Sequence, residues 1–176
     1  MIVSCSYMHK QSDDDTAVNA SIVISHADTT PGYLSIETNN TPQQVVDYAQ
    51  TLIGIPYKYA SADPQQGFDC SGFITYVFNH FNIQVPRSSV DFTNAYHDVP
   101  LANAKQGDLV LFTGTDSTNE TVGHMGIIIS NINDSIAFIH STSGKANGVT
   151  ITPLNEYYMS RFVKAVRVFA ENDSLQ

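Results

Sequence analysis

The order of the apolar patterns in this chain predicts an α+β fold, with N-terminal helices packed on a central antiparallel β-sheet. After residue 40, apolar residues first recur at helical spacing and then form short strand-like runs. Helices followed by antiparallel strands are typical of folds with helices on one face of a single sheet. A third observation is Cys70, which stands where a loop gives way to a buried helix.

Length and composition limit the class of protein. The chain has 176 residues, of which 42% are apolar, so it fits one domain with a real core. Its formal net charge is −9, whereas phosphate-backbone binding needs clustered Lys and Arg. We therefore expect no nucleic-acid partner, and we interpret Arg161, Lys164 and Arg167 as a strand with a solvated edge. No apolar run approaches the ~20 residues of a membrane span.

Polar composition near the start divides the chain. We expect a leader or tether over residues 1–40, a compact domain over 41–170 and a tail over 171–176. A four-residue match to a bacterial lipoprotein processing site ends at Cys5, which makes Cys5 a candidate lipid anchor. No charged and apolar export segment precedes it, so the match is either a trimmed signal or a coincidence. A disulfide from Cys5 to Cys70 is disfavoured, because little in the leader fixes Cys5.

Two helices are predicted. The first has Thr41 as N-cap, Pro42 at its first position and Gly54 at its end. One side of it is apolar: Val45, Val46, Ala49, Leu52 and Ile53. The second helix begins at Cys70 and runs to about Asn82. Its buried side consists of Phe73, Ile74, Val77, Phe78 and Phe81.

An irregular connection and five strands complete the predicted fold. Residues 86–104 have no periodic pattern apart from a short helix near 90–95. Turn residues then alternate with apolar runs, which is typical of antiparallel strands. The predicted strands cover residues 108–113, 123–130, 136–141, 149–152 and 163–169.

The position of Cys70 favours a nucleophile. Unpaired N–H groups and the positive end of the dipole meet at a helix start, and a thiol there has a lowered pKa and greater reactivity. An inert core cysteine is the alternative, since free cysteines are commonly buried. The polar neighbours Asp69 and Ser71, with the small Gly72 behind them, argue against a purely apolar slot.

A thiol nucleophile needs a base that takes its proton and returns it to the leaving group. His124 opens one apolar strand and His140 ends the next, and the turn over residues 131–135 makes them near neighbours across the hairpin. We therefore assign Cys70 as nucleophile, His124 as base and His140 as the group that orients the base. The N–H of Cys70 and a second, unidentified group would hold the oxyanion. The remaining histidines lie in the leader, too far along the helix or in the connection: His9, His26, His80 and His97.

These residues resemble the NlpC/p60 family of papain-like cell-wall cysteine peptidases, over about residues 41–169. Four pieces match in order: Gly54-Ile55-Pro56-Tyr57, Asp69-Cys70-Ser71-Gly72-Phe73, Gly107-Asp108-Leu109-Val110-Leu111-Phe112 and Gly123-His124-Met125-Gly126-Ile127. His140 follows where the third catalytic residue of the family falls. The resemblance implies a papain-like α+β fold and hydrolysis of peptidoglycan stem peptides between γ-D-glutamate and a diamino acid. It implies no metal and no organic cofactor. We also expect a monomer in the cell envelope, either in the periplasm or as an outer-membrane lipoprotein.

The resemblance also implies a substrate groove. Its lining would be Tyr57, Asp69, Ser71, Arg87 and Ser88, with Asp69 meeting an amine of the peptide. The structural alternative is that Asp69 and Ser71 cap the helix and that Arg87 is a surface residue. One departure concerns the loop before Cys70, where residues 60 and 61 are Ala and Ser instead of the paired glycines common in the family. That leaves the shape of this wall, and the roles of the two loop tyrosines, open.

Three other functions fit the same residues. An acyl-transfer enzyme on the same scaffold would share the thioester chemistry and pass the acyl group to an amine instead of water. A secreted antibacterial effector would use the same amidase chemistry on a foreign wall. A non-catalytic wall-binding module would leave Cys70 with an ordinary thiol pKa.

Overall fold

A computed structural model describes residues 40–115, 120–133 and 135–169. The predicted leader up to residue 39, with the candidate anchor Cys5, and the predicted tail lie outside the described residues. In the part of the chain that is described, no helix is long and apolar enough to span a membrane.

Helix α1 (Pro42–Thr51) begins as the sequence predicts. The Thr41 side chain accepts a hydrogen bond from the Gln44 amide, and the Gln44 side chain accepts one from the Thr41 amide, which makes a capping box. The inward residues are those expected: Val45, Val46 and Ala49. The prediction for Ile53 is wrong, since its exposed fraction is 49%. The helix ends before it, and the chain turns away at Gly54 with a φ of +91°.

Helix α2 (Cys70–His80) is slightly shorter than predicted and is the centre of the main core. Four of its apolar side chains are fully buried: Phe73, Ile74, Val77 and Phe78. Asp69 is its N-cap and accepts a hydrogen bond from the Gly72 amide at 2.6 Å. In the loop that precedes α2, strands β1 (Ala62–Asp63) and β2 (Gly67–Phe68) form a small hairpin.

The connection after α2 is more regular than predicted. A 3₁₀-helix over Ser89–Asn94 matches the short helix expected near residues 90–95. Strand β3 (His97–Val99), which the sequence did not predict, pairs with the last strand at one edge of the main sheet. Two exposed polar residues and one half-buried valine are too few to show an alternation, so only the sheet beside them defines this strand.

The main sheet contains all five predicted strands: β4 (Leu109–Thr113), β5 (Val122–Ile132), β6 (Ser135–Thr142), β7 (Gly148–Pro153) and β8 (Phe162–Arg167). With β3 it is antiparallel throughout, in the order β3-β8-β4-β5-β6-β7. A short helix α3 (Glu156–Met159) joins β7 to β8. The α+β fold with helices packed on an antiparallel sheet is therefore confirmed.

Both faces of the sheet are buried. One face packs against α1 and α2 through alternate residues such as Leu109 and Leu111. The other face carries a second cluster built from Val110, Phe112 and their neighbours on β5, β6 and α3. Phe112 lies near His124, and Phe138 lies near His140, so the two histidines belong to this second face.

The interpretation of Arg167 as part of a solvated edge is wrong. Its guanidinium donates to both carboxylate oxygens of Asp108, at 3.1 and 2.9 Å, and the exposed fractions of the two side chains are 4% and 0%. Asp108 also accepts a hydrogen bond from the Lys105 amide at 2.8 Å. This buried pair fastens the last strand to the start of β4 and the turn before it.

Candidate active site

Cys70 occupies the first position of α2, at the point where the helix start meets β5. Its thiol is partly buried and donates a long hydrogen bond to the Gly123 carbonyl oxygen at 3.8 Å. Among the described residues it is a free thiol. The amides of Ser71 and of Cys70 itself both act on the sulfur, as expected for N–H groups without helical partners.

The prediction that the helix start lowers the pKa of this thiol is wrong in direction. Burial, and then the negative charge of Asp69, raise the pKa of Cys70 to about 11. The two amides and the more distant Arg87 act in the opposite direction but do not outweigh burial. The thiol is therefore neutral at rest, so attack on a carbonyl requires that a base remove its proton as the bond forms.

The hairpin brings the two histidines together, as its predicted register implies. Residues Ile127 and Ile139 face each other across β5 and β6, so His124 and His140 lie diagonally on the same face. His124 Nε2 and His140 Nδ1 are 2.8 Å apart. Gly126 makes this possible, because a Cβ there would lie 3.2 Å from the Cβ of His140 and 2.5 Å from a ring carbon of Phe138.

A third polar group continues the chain from His140. His140 Nε2 lies 2.9 Å from the Thr152 hydroxyl on β7. If His124 is to accept a proton at Nδ1, its Nε2 must carry a hydrogen and donate to His140 Nδ1. His140 must then carry its proton on Nε2 and donate it to Thr152. This tautomer satisfies both buried rings and leaves one basic nitrogen, Nδ1 of His124, for the thiol.

Both imidazoles are neutral over the physiological range. Burial, then His140 and Arg161, lower the pKa of His124 to about 3, and burial lowers the pKa of His140 to about 4. Tyr158 from α3 packs beside both rings, with centroid distances of 6.2 and 5.5 Å. The aromatic cover keeps water away from the pair, which strengthens the hydrogen bond between the histidines.

Thr152 and Tyr158 are site residues that the sequence reasoning missed. Thr152 stands in a strand that was predicted but carried no catalytic signal. Tyr158 lies on α3, whose start does carry a signal: Asn155 caps it through the Tyr158 amide, and Glu156 is in its first turn. A four-residue helix is too short for a periodic pattern, so the cap was the only indication.

The residues predicted to bind substrate form two groups. Tyr57 lies beside the thiol and lines its cleft. Asp69, Ser71 and Arg87 form a separate cluster, in which Arg87 donates to both oxygens of Asp69 at 3.0 and 2.7 Å and to the Ser71 hydroxyl at 3.0 Å. Ser88 precedes the 3₁₀-helix with an exposed side chain. Asp69 therefore caps α2 and orders Arg87 at the same time.

The segment that replaces the expected glycines packs directly on the start of α2. Ala60 has a φ of +57°, a conformation that favours glycine. The Ser61 carbonyl accepts a hydrogen bond from the Asp69 amide at 2.9 Å, and a Cβ at Gly72 would collide with that same carbonyl oxygen. The wall thus keeps the glycine-like backbone at residue 60 without the glycine.

A cleft of about 990 Å³ opens over the thiol and His124. Cys70, Tyr57 and His124 contribute to its lining, together with the ends of β4 and β6 and the Tyr157-to-Arg161 segment. Two cations, Lys145 and Arg161, also line it. In residues 40–115, 120–133 and 135–169, no group of three or more His, Cys, Asp or Glu side chains is arranged to bind a metal ion.

Comparison with known proteins agrees with the fold and the motifs. The family model described as NlpC/P60 matches residues 54–168. Gamma-DL-glutamyl hydrolase of Bacillus subtilis is 31% identical over 135 residues, which covers 77% of this chain and 32% of that protein. Murein DD-endopeptidase MepS/Murein LD-carboxypeptidase of Escherichia coli K12 is 30% identical over 131 residues, covering 73% and 64%.

A solved structure gives the same result at the level of the fold. The crystal structure of a NlpC/P60 family protein from Bacillus cereus has a TM-score of 0.65 at 27% identity, over 74% of this chain and 41% of that one. The chain spans about a third of the length of the B. subtilis relative and under two thirds of the E. coli one.

Proposed function

The chain belongs to the NlpC/P60 family, and from this premise we propose that it is a cysteine peptidase that hydrolyses peptidoglycan stem peptides. The bond we propose is the amide between the γ-carboxyl of D-glutamate and a diamino acid. The observation that carries the proposal is that His124, whose Nε2 lies 2.8 Å from His140 Nδ1, lines the same cleft as Cys70. The names of the two curated relatives, a glutamyl hydrolase and a murein endopeptidase, support the substrate class.

The proposed reaction starts from neutral groups. Cys70 Sγ attacks the scissile carbonyl carbon while Nδ1 of His124 takes the thiol proton. The carbonyl π electrons move to oxygen, and the amide N–H at the helix start, that of Cys70, receives the oxyanion. The intermediate then collapses, the C–N bond breaks, and His124 gives its proton to the departing amine. A thioester on Cys70 remains.

Water completes the cycle by the same route. His124 removes a proton from the water as its oxygen attacks the thioester carbon. The C–S bond breaks, the thiolate takes the proton back from His124, and the carboxylic acid product leaves. Throughout, His140 accepts from Nε2 of His124, which holds the imidazole in the reactive tautomer and stabilises the imidazolium that forms in each step.

We assign substrate positioning to the two groups of residues described above. Asp69 uses one carboxylate oxygen for Gly72 and Ser71 and shares both oxygens with Arg87. Oδ2 accepts from Arg87 alone among the described residues, and a carboxylate oxygen has about two acceptor sites, so Oδ2 retains capacity for an amine of the peptide. Tyr57, Ser71, Arg87 and Ser88 complete this proposed wall. The helix-cap role and the substrate role are compatible, because the first fixes the carboxylate that the second uses.

We further propose that the protein acts in the cell envelope as a monomer. Murein is the material named for the E. coli relative, and the net charge of −9 gives no basis for a nucleic-acid partner. A lipid anchor at Cys5 remains part of this proposal. Metabolic labelling with a palmitate analogue, with Cys5→Ala as control, tests the anchor independently of catalysis.

Digestion of defined muropeptides with mass-spectrometric readout tests the activity. The wild type should release the diamino acid from its γ-D-glutamyl partner, while Cys70→Ala and His124→Gln should show no turnover. His97→Gln is the matched control, because it removes an exposed imidazole from edge strand β3 and should cleave normally. Intact muropeptides after incubation with the wild type, or equal cleavage by Cys70→Ala, would overturn the proposal. Transfer of the acyl group to an added amine in preference to water would identify the acyl-transfer alternative.

A further inference from the structure

Arg161 is a cation in the cleft whose partners are all neutral. It donates to the Tyr157 hydroxyl and to the Thr113 carbonyl, each at 2.7 Å, and its guanidinium carbon lies 5.1 Å from the centre of the Tyr157 ring. Its buried Nε has no hydrogen-bond partner. Three other cations of the described residues each meet a carboxylate: Arg87, Lys164 and Arg167.

The cleft around Arg161 has a charge opposite to that of the whole chain. The sequence has 17 acidic and 8 basic residues. Lys145 lines the cleft as a second cation, and the part of the lining that the structure describes contains no Asp or Glu. A concave surface with one sign of charge attracts ligands of the opposite sign. The guanidinium keeps unused N–H donors on both terminal nitrogens.

We propose that Arg161, assisted by Lys145, binds a carboxylate of the substrate beside the scissile amide. This inference rests on the proposed function, because it names the substrate group that the same cleft recognises. Two carboxylates of a γ-glutamyl–diamino acid peptide flank the bond that is cut. One is the α-carboxylate of the glutamyl residue, and the other belongs to the diamino acid. Cell walls in which the carboxylate bound by Arg161 is amidated would be poor substrates.

The position of Arg161 also links binding to catalysis. Its charge contributes, after burial and His140, to lowering the pKa of His124. A bound carboxylate neutralises that charge and makes it easier for His124 to take the thiol proton. Loss of the carboxylate should therefore reduce kcat as well as raise KM, since the interaction grows stronger as the imidazolium forms. Loss of Arg161 also removes the opposing charge, so it should act mainly by raising KM.

Three forms of one peptide test the inference: L-Ala–γ-D-Glu–diaminopimelate, the same peptide amidated at the glutamyl α-carboxylate, and the same peptide amidated at the diaminopimelate carboxylate next to the scissile bond. The wild type should prefer the unmodified peptide over one amide by at least about tenfold in kcat/KM, the size of one charge-assisted hydrogen-bonded pair. Which amide is disfavoured identifies the carboxylate. Arg161→Gln should reduce the preference to about twofold or less, and Arg161→Lys should retain part of it.

Controls separate the inference from damage to the fold. Lys164→Gln removes one positive charge three residues further along the chain, in β8 and outside the cleft lining, and should keep the wild-type preference. Because each preference is a ratio within one protein, a general loss of activity cancels. Equal cleavage of all three peptides by the wild type, or an undiminished preference in Arg161→Gln, would overturn the inference and leave the proposed function intact.

Calorimetric binding to the Cys70→Ala protein distinguishes failure of the inference from failure of the function. If the wild type cleaves none of the peptides but Cys70→Ala binds the unmodified one at least about tenfold tighter than an amide, and only when Arg161 is present, the inference stands and the proposed function fails. Absence of both cleavage and preferential binding would overturn both.

Discussion

Replacing Thr152 by Val tests whether the His124–His140 pair depends on a fixed tautomer. Valine has nearly the shape of threonine and lacks the hydroxyl, which lies 2.9 Å from His140 Nε2. His140 is 0% exposed, so solvent has little access to replace the lost acceptor. The productive tautomer, with the proton on Nε2, would then contain an unsatisfied buried N–H.

The expected size of the effect follows from that N–H. An unsatisfied buried donor costs about 1–3 kcal/mol. His140 escapes this cost by moving its proton to its own Nδ1. Nε2 of His124 must then accept the hydrogen bond from His140, and Nδ1 of His124 must carry the hydrogen. That arrangement cannot take a proton from Cys70. The penalty therefore falls on the reactive form, and about 1.4–2.8 kcal/mol corresponds to a kcat lowered about 10- to 100-fold.

Steady-state kinetics on the unmodified peptide measures this change, and ¹⁵N shifts of the histidine rings report the tautomer. KM should change little, and Thr152→Ser, which keeps a hydroxyl, should recover most of kcat. Thr150→Val is the control, because it removes a hydroxyl from the same strand that is hydrogen-bonded to none of the described histidines. The Thr150 hydroxyl makes a long 3.5 Å contact to the Ile151 carbonyl oxygen, so its loss should reduce kcat less. A wild-type kcat and unchanged ring shifts in Thr152→Val would refute the reasoning, as would equal losses in the Ser and Val variants.

Three further predictions concern stability and packing. The pKa values of His124 and His140, about 3 and about 4, lie below the usual 6.5. The unfolded chain therefore binds more protons than the folded chain between about pH 4 and 6.5. The free energy of unfolding measured in urea should fall as pH falls through that window, by up to about 1.4 kcal/mol per pH unit per histidine. A pH-independent stability there would contradict the burial of the pair. Gly126→Ala should cost about 1–3 kcal/mol in thermal unfolding and impair turnover, because its Cβ meets a carbonyl oxygen at 2.9 Å and the Cβ of His140 at 3.2 Å. Arg167→Met should lower the free energy of unfolding by about 3–5 kcal/mol, because it leaves the buried Asp108 without its guanidinium partner. Adding Asp108→Asn should restore part of the lost stability in the same unfolding measurement. Wild-type stability of the single variant would show that the pair is dispensable.

The elements that the sequence predicts are those determined by local signals. A Thr-Pro start with Gln44 at the third helical position is sufficient to place α1. The apolar spacing after Cys70 defines α2, and one turn determines the register of β5 against β6. That register is what made the meeting of His124 and His140 predictable, because a hairpin converts sequence distance into spatial distance by simple counting.

What the sequence does not show depends on contacts between distant segments. Arg161 and Arg167 belong to the same basic run, yet one lines the cleft and the other is buried against Asp108. Strand alternation would put both on one face, and what each contacts there is fixed by residues 48 and 59 positions earlier in the chain, Thr113 and Asp108. Strand β3 and helix α3 are three and four residues long, below the length at which a periodic pattern exists.

The thiol shows most clearly why a local motif is insufficient for electrostatics. The helix start supplies two amides that stabilise the thiolate, and this was the basis for expecting a low pKa. The same motif places the carboxylate of Asp69 next to the sulfur, and the packing of α2 on the sheet removes water. Burial and Asp69 outweigh the amides, so the resting pair is a neutral thiol and a neutral imidazole. Charge then appears only as the substrate reacts, when Cys70 transfers its proton to His124 and His140 stabilises the resulting cation. Because the thiol and the imidazole become charged only as the substrate reacts, the positive charge of Arg161 affects how readily that proton moves. A carboxylate bound to Arg161 neutralises this charge and favours the transfer.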